Sequence, residues 1–529
     1  MLSSRLQTFS YLKAFKLDKE FKSLRVNDNP TDLKNKLLNK LRNFNIFEAF
    51  YQIGLLYREM LKLNNDSDFM VFAHEFNFKN FTYLFRIDLL LLIVHFFIMS
   101  GANKYGKKTL TPYSKVNLMY LSDIVQELQH CDFEINEGTL LNHMCMYYKE
   151  QLLYQENFRE NLCHNYLIYK EKYAQKIKDI TGLDYDTYFR TSLVLTILSS
   201  RILEPSFNKK RIEEVLADFP EEYCTTASLI KLLDFLSTNI KNYKSQQALS
   251  KYKDLIFLQN KPVIKEFVFN QETYFIPLPF LFLDKLFSGL YYTLQDSYNK
   301  ITAFRNEFGV VFEDYVGKIV KRDLDDYKIL SDKDLPYVKN RSQSKFVDWV
   351  VYNDNIAYLI EVKASMLPLS NIYNTNINDF IERHIIKDYN QMISHLKDVN
   401  KFKEFEFLRD KKIIPIIIYK DIPLLNTCLF KNAVIKYIEQ TSNDTDLIDI
   451  VTNDKIYLFN IADFQLFWIN KMNIQIFEIF EILESNGGES IRSIIEKHSE
   501  SNFHIEQWSD IVDRMFDINY IQRNFNIEN

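Results

Sequence analysis

The sequence predicts an α+β chain of several domains: a large α-helical N-terminal region, a mixed α/β domain, and a short, mainly helical C-terminal extension. Three observations predict this. Glycine is scarce, 10 in 529 residues, against an average usage near ~7%. That scarcity disfavours glycine-rich phosphate loops and β-sandwiches and favours helices. Apolar residues recur at three- and four-residue spacing through most of the first 250 residues. From about residue 300 the pattern changes to short apolar, β-branched runs that alternate with helical stretches. The length allows two to four domains, and an apolar content of 47% supplies large cores.

Residues 1–261 read as one helical recognition or partner region, with faces such as Leu37, Leu41, Phe44, Phe47 and Phe50. Breaks fall at Asn29-Pro30, Ser100 to Pro112 and Glu204-Pro205. The most apolar stretch, Leu89 to Met99, is 11 residues long, short of the ~20 that span a bilayer. It is expected to be a buried helix. Residues 262–299 form a connector: strands over 264–269 and 273–277 around a turn at Asn270-Gln271-Glu272, then helical spacing over 279–296. Residues 300–440 hold the α/β domain. A helix is predicted over 302–322, with Phe304, Phe308, Val311, Phe312, Val316, Ile319 and Val320 on one face. Strands follow at Tyr327–Leu330, 346–352 and 356–364, then a helix over 378–398 and a strand from Ile413 to Tyr419. The order is α-β-β-β-α-β. Residues 441–529 carry one more strand at 456–460 and are otherwise helical.

The net charge of −5 rules out a chain that binds nucleic acid through bulk charge, but Lys300 to Lys420 has a local balance of +2. The five cysteines, Cys131, Cys145, Cys163, Cys224 and Cys428, are odd in number and form no C-x-x-C pair. They suit a reducing compartment. Met1 to Ser10 lacks the basic-then-apolar pattern of a signal peptide. The expectation is a soluble, cytoplasmic protein without membrane association.

Two motifs are set aside. Gly101 to Lys107 fits G-x-x-x-x-G-K, but Lys108 stands where the magnesium-binding hydroxyl belongs, Pro112 disturbs the next helix, and the preceding run is helical. His130-Cys131, His143, Cys145 and Cys163-His164 match no zinc spacing. No nucleophile elbow is present.

The chemistry lies in FVDWVVYND and NIAYLIEVKAS. If Asp354-Asn355 is a two-residue turn, facing residue numbers sum to 709, and Asp348 faces Glu361. Lys363 lies two residues on, hence on the same face. Opposed like charges destabilise a sheet unless something compensates. A divalent cation does so, held by one or two carboxylates with water and phosphate oxygens. A neighbouring lysine can orient or help activate the attacking water. A surface ion cluster is the plainer reading, but the strands are apolar on both faces and belong inside a sheet, where an unpaired acid is costly.

This arrangement resembles the PD-(D/E)XK nuclease superfamily, which includes restriction endonucleases and RecB-type nucleases: an acid on one strand, then Glu-x-Lys on the next, in an αβββαβ core. The resemblance covers residues ~300–425 and implies a restriction-endonuclease-like fold. It implies metal ligation by Asp348, Glu361 and the Val362 carbonyl, with Mg²⁺ or Mn²⁺ as the cofactor. A glutamate on the first helix often joins such sites; of Glu307 and Glu313, Glu313 in FEDYV fits better. RecB-type relatives carry a glutamine on the helix after the lysine, matched by Gln391, with Lys387 one turn before it. Val347 stands where the family often has proline, a frequent departure.

The expected function is divalent-metal-dependent phosphodiester hydrolysis by Asp348, Glu361 and Lys363, aided by Glu313 and Gln391. The expected partner is nucleic acid, DNA ahead of RNA. The N-terminal region would engage a protein partner or trigger, with homo-oligomerisation compatible. By fold-level analogy the chain fits a prokaryotic restriction or antiphage effector. The alternatives are a catalytically silent nucleic-acid-binding or scaffold subunit, and a DNA-processing or RNA-cleaving nuclease. Lys318, Lys321, Arg322, Lys339, Arg341 and Lys345, and then Lys397, Lys401, Lys403, Arg409, Lys411 and Lys412, are candidates to track a phosphate backbone or are ordinary solvated charges.

Overall fold

The computed structural model describes residues 29–62, 87–103, 105–108, 121, 124–125, 128, 158–199, 204–217, 220–247, 258, 260–321, 327–335, 345–366, 377–422, 425, 427–470, 475–486 and 491–498. The chain divides into two compact units: Met1–Ile135 with Thr181–Gly289, and Asn136–Ile180 with Leu290–Asn529. The fold is α+β, with one sheet in each unit among many helices. Among the described residues no helix is long and apolar enough to cross a membrane.

In the first unit, helices start where local chemistry starts them. The Asn29 side chain accepts from the Thr31 N–H and Pro30 opens the helix Pro30–Leu41. Asn45 accepts from the Phe47 and Glu48 N–H groups at the head of Ile46–Lys62. The most apolar stretch is the helix Ile87–Met99. Leu90, Leu91, Ile93, Val94 and Phe97 are fully buried, as suits a helix that is apolar all round. It leaves no strand for a phosphate loop. Beyond it, Asn103 and Lys108 instead bridge to Asn45 and Phe44.

The small sheet has the order β1-β4-β3-β2: β1 is Ser206–Asn208, β2 Ser237–Thr238, β3 Val263–Val268 and β4 Gln271–Phe275. The first two strands are too short to carry a period, and the sequence read them as helical surroundings. The β3–β4 turn is Phe269-Asn270, with φ of 49° and 63°, and Val268 faces Gln271. The sequence placed the turn at 270–272. Two consecutive left-handed residues match the strand twist, so Gln271 and Glu272 join the ladder.

The second unit is built on a sheet of spatial order β5-β6-β7-β8-β9: β5 Lys328–Ser331, β6 Trp349–Tyr352, β7 Ile356–Met366, β8 Lys412–Asp421 and β9 Tyr457–Asn460. The first two pairings are antiparallel and the last two parallel. Four helices matter below: α1 Phe158–Thr181, α2 Ile301–Val320, α3 Lys387–Lys401 and α4 Ile461–Asn470. The sequence ended this domain at residue 440, but β9 extends the sheet past it, and all but the last residue of α1 falls in this unit.

The two longest strands are central and buried. Ile414, Ile416, Ile417 and Ile418 of β8 are at most 3% exposed, which explains their continuous isoleucine run. Pro415 is tolerated there because β9 pairs with β8 only from Ile416 onward. On α1, the Tyr169 ring stacks on Phe308 of α2 at 5.7 Å. The Lys420 ammonium sits 5.8–5.9 Å from the Tyr169, Tyr291 and Phe308 ring centres. His164 is buried and its Nδ1 lies 2.5 Å from the Tyr315 hydroxyl. His130, Cys131, His143 and Cys145 lie outside the described residues. Gly317 lets α2 approach β6: a Cβ there would lie 2.2 Å from the Trp349 ring.

Candidate active site

The β6–β7 hairpin sets the site. Its ladder runs from Tyr352↔Ala357 to Trp349↔Ile360. The Asn353 N–H donates to the Ile356 carbonyl, and the Asn353 side chain accepts from the N–H groups of Asn355 and Ile356. The register therefore matches that of a two-residue Asp354-Asn355 turn. Asp348 is the next residue beyond the ladder, at the position opposite Glu361.

Asp348 is held from two sides. Its carbonyl accepts from the Asp332 N–H at 3.0 Å, and its Oδ2 accepts from the Val362 N–H at 2.7 Å. A strand residue's N–H and C=O point to the same side, so the Val362 carbonyl faces the same edge, where β6 has ended. The Glu361 side chain is 5% exposed. Its Oε1 accepts from Lys363 Nζ at 2.8 Å and from Gln391 Nε2 at 2.6 Å. Lys363 Nζ also donates to Gln391 Oε1 at 2.7 Å. Gln391, on α3, is thus bonded to both the glutamate and the lysine of the Glu-x-Lys pair.

Glu313, from α2, is half-buried and within electrostatic reach of Asp348 and Glu361. Glu307 is not part of this cluster; it accepts from the Tyr298 hydroxyl at 2.6 Å. Three residues escaped the sequence reading. Asp388 Oδ1 lies 3.6 Å from Lys363 Nζ, and its Oδ2 accepts from the Tyr419 hydroxyl. His395 Nε2 lies 3.7 Å from Glu361 Oε2 and 3.4 Å from Gln391 Nε2. Asp388 and His395 are three residues before and four after Gln391, the spacing of one helix face. Tyr419 is the parallel partner of Lys363. Those spacings were visible signals.

The electrostatics are strained toward a cation. Burial and then the Glu361 charge push Asp348 up to about 7, against the hydrogen bond from Val362. Burial, joined by Asp388 and Glu313, raises Glu361 despite Lys363. Burial and Asp348 raise Glu313 to about 7. Burial raises Asp388 to about 6 against the opposing pull of Lys363. Burial alone would lower Lys363, but Glu361 and Asp388 carry it above the ordinary lysine value. Lys363 is therefore held in its charged form.

The donor set fits a hard divalent ion. Among the described residues no three His, Cys, Asp or Glu side chains converge as a metal group. What converges is two carboxylates, Asp348 and Glu361, beside a strand edge that the β6 ladder leaves beyond Trp349. Glu361 Oε2 is buried and accepts no hydrogen bond, an arrangement that is costly unless a cation meets it. No family model matches this chain, and no curated protein matches it.

Proposed function

We propose that this protein is a divalent-metal-dependent nuclease that hydrolyses phosphodiester bonds, in DNA first of all, on a restriction-endonuclease-like core. The single observation that carries the reading is the buried Glu361 Oε2, which accepts no hydrogen bond among the described residues, with His395 Nε2 no nearer than 3.7 Å, and which is set beside a second buried carboxylate, Asp348. A plain structural ion cluster has no need of such an oxygen. The resemblance of Asp348 and Glu361-Val362-Lys363 to the PD-(D/E)XK pattern supports the same reading.

Asp348 and Glu361 would hold Mg²⁺ or Mn²⁺, with the Val362 carbonyl at the same edge. When bound, the ion lowers the pKa of water and polarises a phosphate oxygen. Glu361 and Gln391 fix the Lys363 ammonium at 2.8 and 2.7 Å, where it can bond a phosphate oxygen and stabilise charge that grows there. Asp388 and Tyr419 brace Lys363 from behind. The half-buried Glu313, raised to about 7 by burial and the Asp348 charge, would be the group to take a proton from an attacking water. The first unit is proposed as the recognition part, which meets a partner or trigger.

Mn²⁺ binding followed by electron paramagnetic resonance tests the reading. Wild type should bind Mn²⁺ and lose it on Asp348→Ala or Glu361→Ala, while Glu307→Ala binds normally. Equal Mn²⁺ uptake by all four proteins would sink the metal site.

A further inference from the structure

Two local irregularities meet beside the catalytic lysine. β7 carries a register shift between Lys363 and Met366, so one extra residue is inserted at Ala364-Ser365. Bulges of this kind re-aim side chains next to active sites. The helical segment that runs into α3 contains a π-turn at Ile381–Ile386, a rare form that gathers at functional positions. The two touch: Ser365 Oγ lies 3.1 Å from His384 Nδ1, and the Phe380 ring packs on the His384 ring at 4.9 Å.

Three basic residues lie within electrostatic reach of this contact. Arg383 lies within the π-turn, Lys387 four residues on is on the same helix face, and Arg305 comes from α2; all three are exposed. Their charges, with that of Lys363, all bear on the His384 ring. Other basic residues of the unit have structural work. Lys318 pairs with Glu171, Lys345 with Asp332, Arg409 donates to the Val399 and Phe402 carbonyls, and Lys411 donates to the Asp354 carbonyl. Arg383, Lys387 and Arg305 form no ion pair among the described residues, and Arg305 is hydrogen-bonded to the Tyr291 hydroxyl. Of the neighbouring acids, Glu382 beside Arg383 is hydrogen-bonded by the Tyr437 hydroxyl, Asp388 beside Lys387 is buried and engaged by Tyr419 and Lys363, and Glu307 near Arg305 accepts from Tyr298. Ser365 is two residues beyond Lys363, so even with the strand bent by the bulge the two lie within about 7 Å of chain, on the scale of one phosphate-to-phosphate step along a nucleic acid strand.

We propose that Ser365, His384, Arg383, Lys387 and Arg305 form an anion subsite that seats a nucleic-acid phosphate one step from the scissile one. The inference rests on the nuclease reading and adds to it the direction in which the substrate strand leaves the metal. The phosphate it holds is an internal diester or a terminal 5′-monoester, and the two share the same oxygen chemistry.

The test uses the full chain, with CaCl₂ to prevent turnover, and fluorescence anisotropy with 3′-labelled single-stranded and duplex DNA of about 20 nucleotides, bearing a 5′-phosphate or a 5′-hydroxyl. Wild type is compared with Arg383→Gln/Lys387→Gln and with Arg305→Gln. The double variant should bind about tenfold more weakly near physiological salt. Its log-affinity against log-salt slope should fall by one to two phosphate contacts, each worth about 0.7–0.9. Arg305→Gln, on a separate element, should lose about one contact and carries the test if the double variant misfolds. Arg383→Lys/Lys387→Arg should retain the wild-type slope. A wild-type preference for 5′-phosphate that the variants lose identifies a terminal monoester; equal loss on both ends identifies internal diesters. Metal-dependent cleavage by wild type with unchanged affinity and slope in both variants overturns the subsite and leaves the nuclease standing. Absence of both binding and cleavage by wild type overturns the two together.

Discussion

Asn at position 348 removes one carboxylate charge and keeps an oxygen for the Val362 N–H. Asp348 is 8% exposed, and burial followed by the Glu361 charge raises its pKa from 3.8 to about 7. An acid raised in the folded state keeps its proton after the unfolded chain has lost it. The native state then binds the extra proton, so this group's contribution to stability falls as pH rises from about 3.8 through about 7 and levels off above that. A shift of this size corresponds to at most roughly 4 kcal/mol. His95 and His164, lowered to about 4 and about 3 by burial, act in the opposite sense below pH 6.5, but equally in both proteins. Urea unfolding of wild type and Asp348→Asn in EDTA, from pH 4.5 to 8.5, isolates the difference. The stability of the variant relative to wild type should rise with pH by about 2–4 kcal/mol, leaving the variant the more stable at pH 8. Millimolar Mn²⁺ should then reverse the order by stabilising wild type alone. A difference that is flat or falls with pH refutes the claim that Asp348 is an uncompensated buried charge.

Three more outcomes are expected. Lys363→Ala should lower cleavage by at least ~10²-fold, the usual cost of removing one charge-stabilising donor, with metal binding retained; cleavage within threefold of wild type would remove the lysine from the chemistry. Gln391→Ala frees both Lys363 and Glu361 from their shared brace and should cost about 10–100-fold in turnover, measured as initial rates at saturating metal, whereas an unchanged rate would make Gln391 a bystander. Gly317→Ala forces a Cβ to 2.2 Å from the Trp349 ring; overpacking of about 1–3 kcal/mol should exceed the ~1 kcal/mol gained in helix propensity and lower Tm by a few degrees, and a raised Tm would show that α2 does not press on β6.

The centre of the site was legible because strand geometry constrains it. Once Asp354-Asn355 is taken as a two-residue turn, the register of Asp348 and Glu361 follows, and the ladder at Trp349↔Ile360 has that register. The resemblance to RecB-type nucleases singled out Gln391 on the helix after the lysine; Asp388 and His395, at helical spacing from it, went unread because neither belongs to that pattern. Tyr419 sat in a strand that read only as apolar. The limits of the sheet were less legible. β9 is four residues long and pairs in parallel with β8, a non-local contact that leaves no local period. The strands β1 and β2 are shorter still. The place of α1 beside α2 depends on the Tyr169–Phe308 packing and the Lys420 cradle, which join positions about 140 and 250 residues apart. The β3–β4 turn was misplaced by one to two residues because Phe269 is an unusual occupant of a left-handed position, whereas Asn270 is a common one.

The most direct test of the central claim is cleavage itself. Supercoiled plasmid, linear single-stranded DNA and RNA are incubated with wild type, Asp348→Ala and Lys363→Ala in Mg²⁺, Mn²⁺ or EDTA. The account predicts cleavage of DNA by wild type that needs the metal and disappears in both variants. Cleavage in EDTA, or equal cleavage by wild type and the two variants, contradicts it.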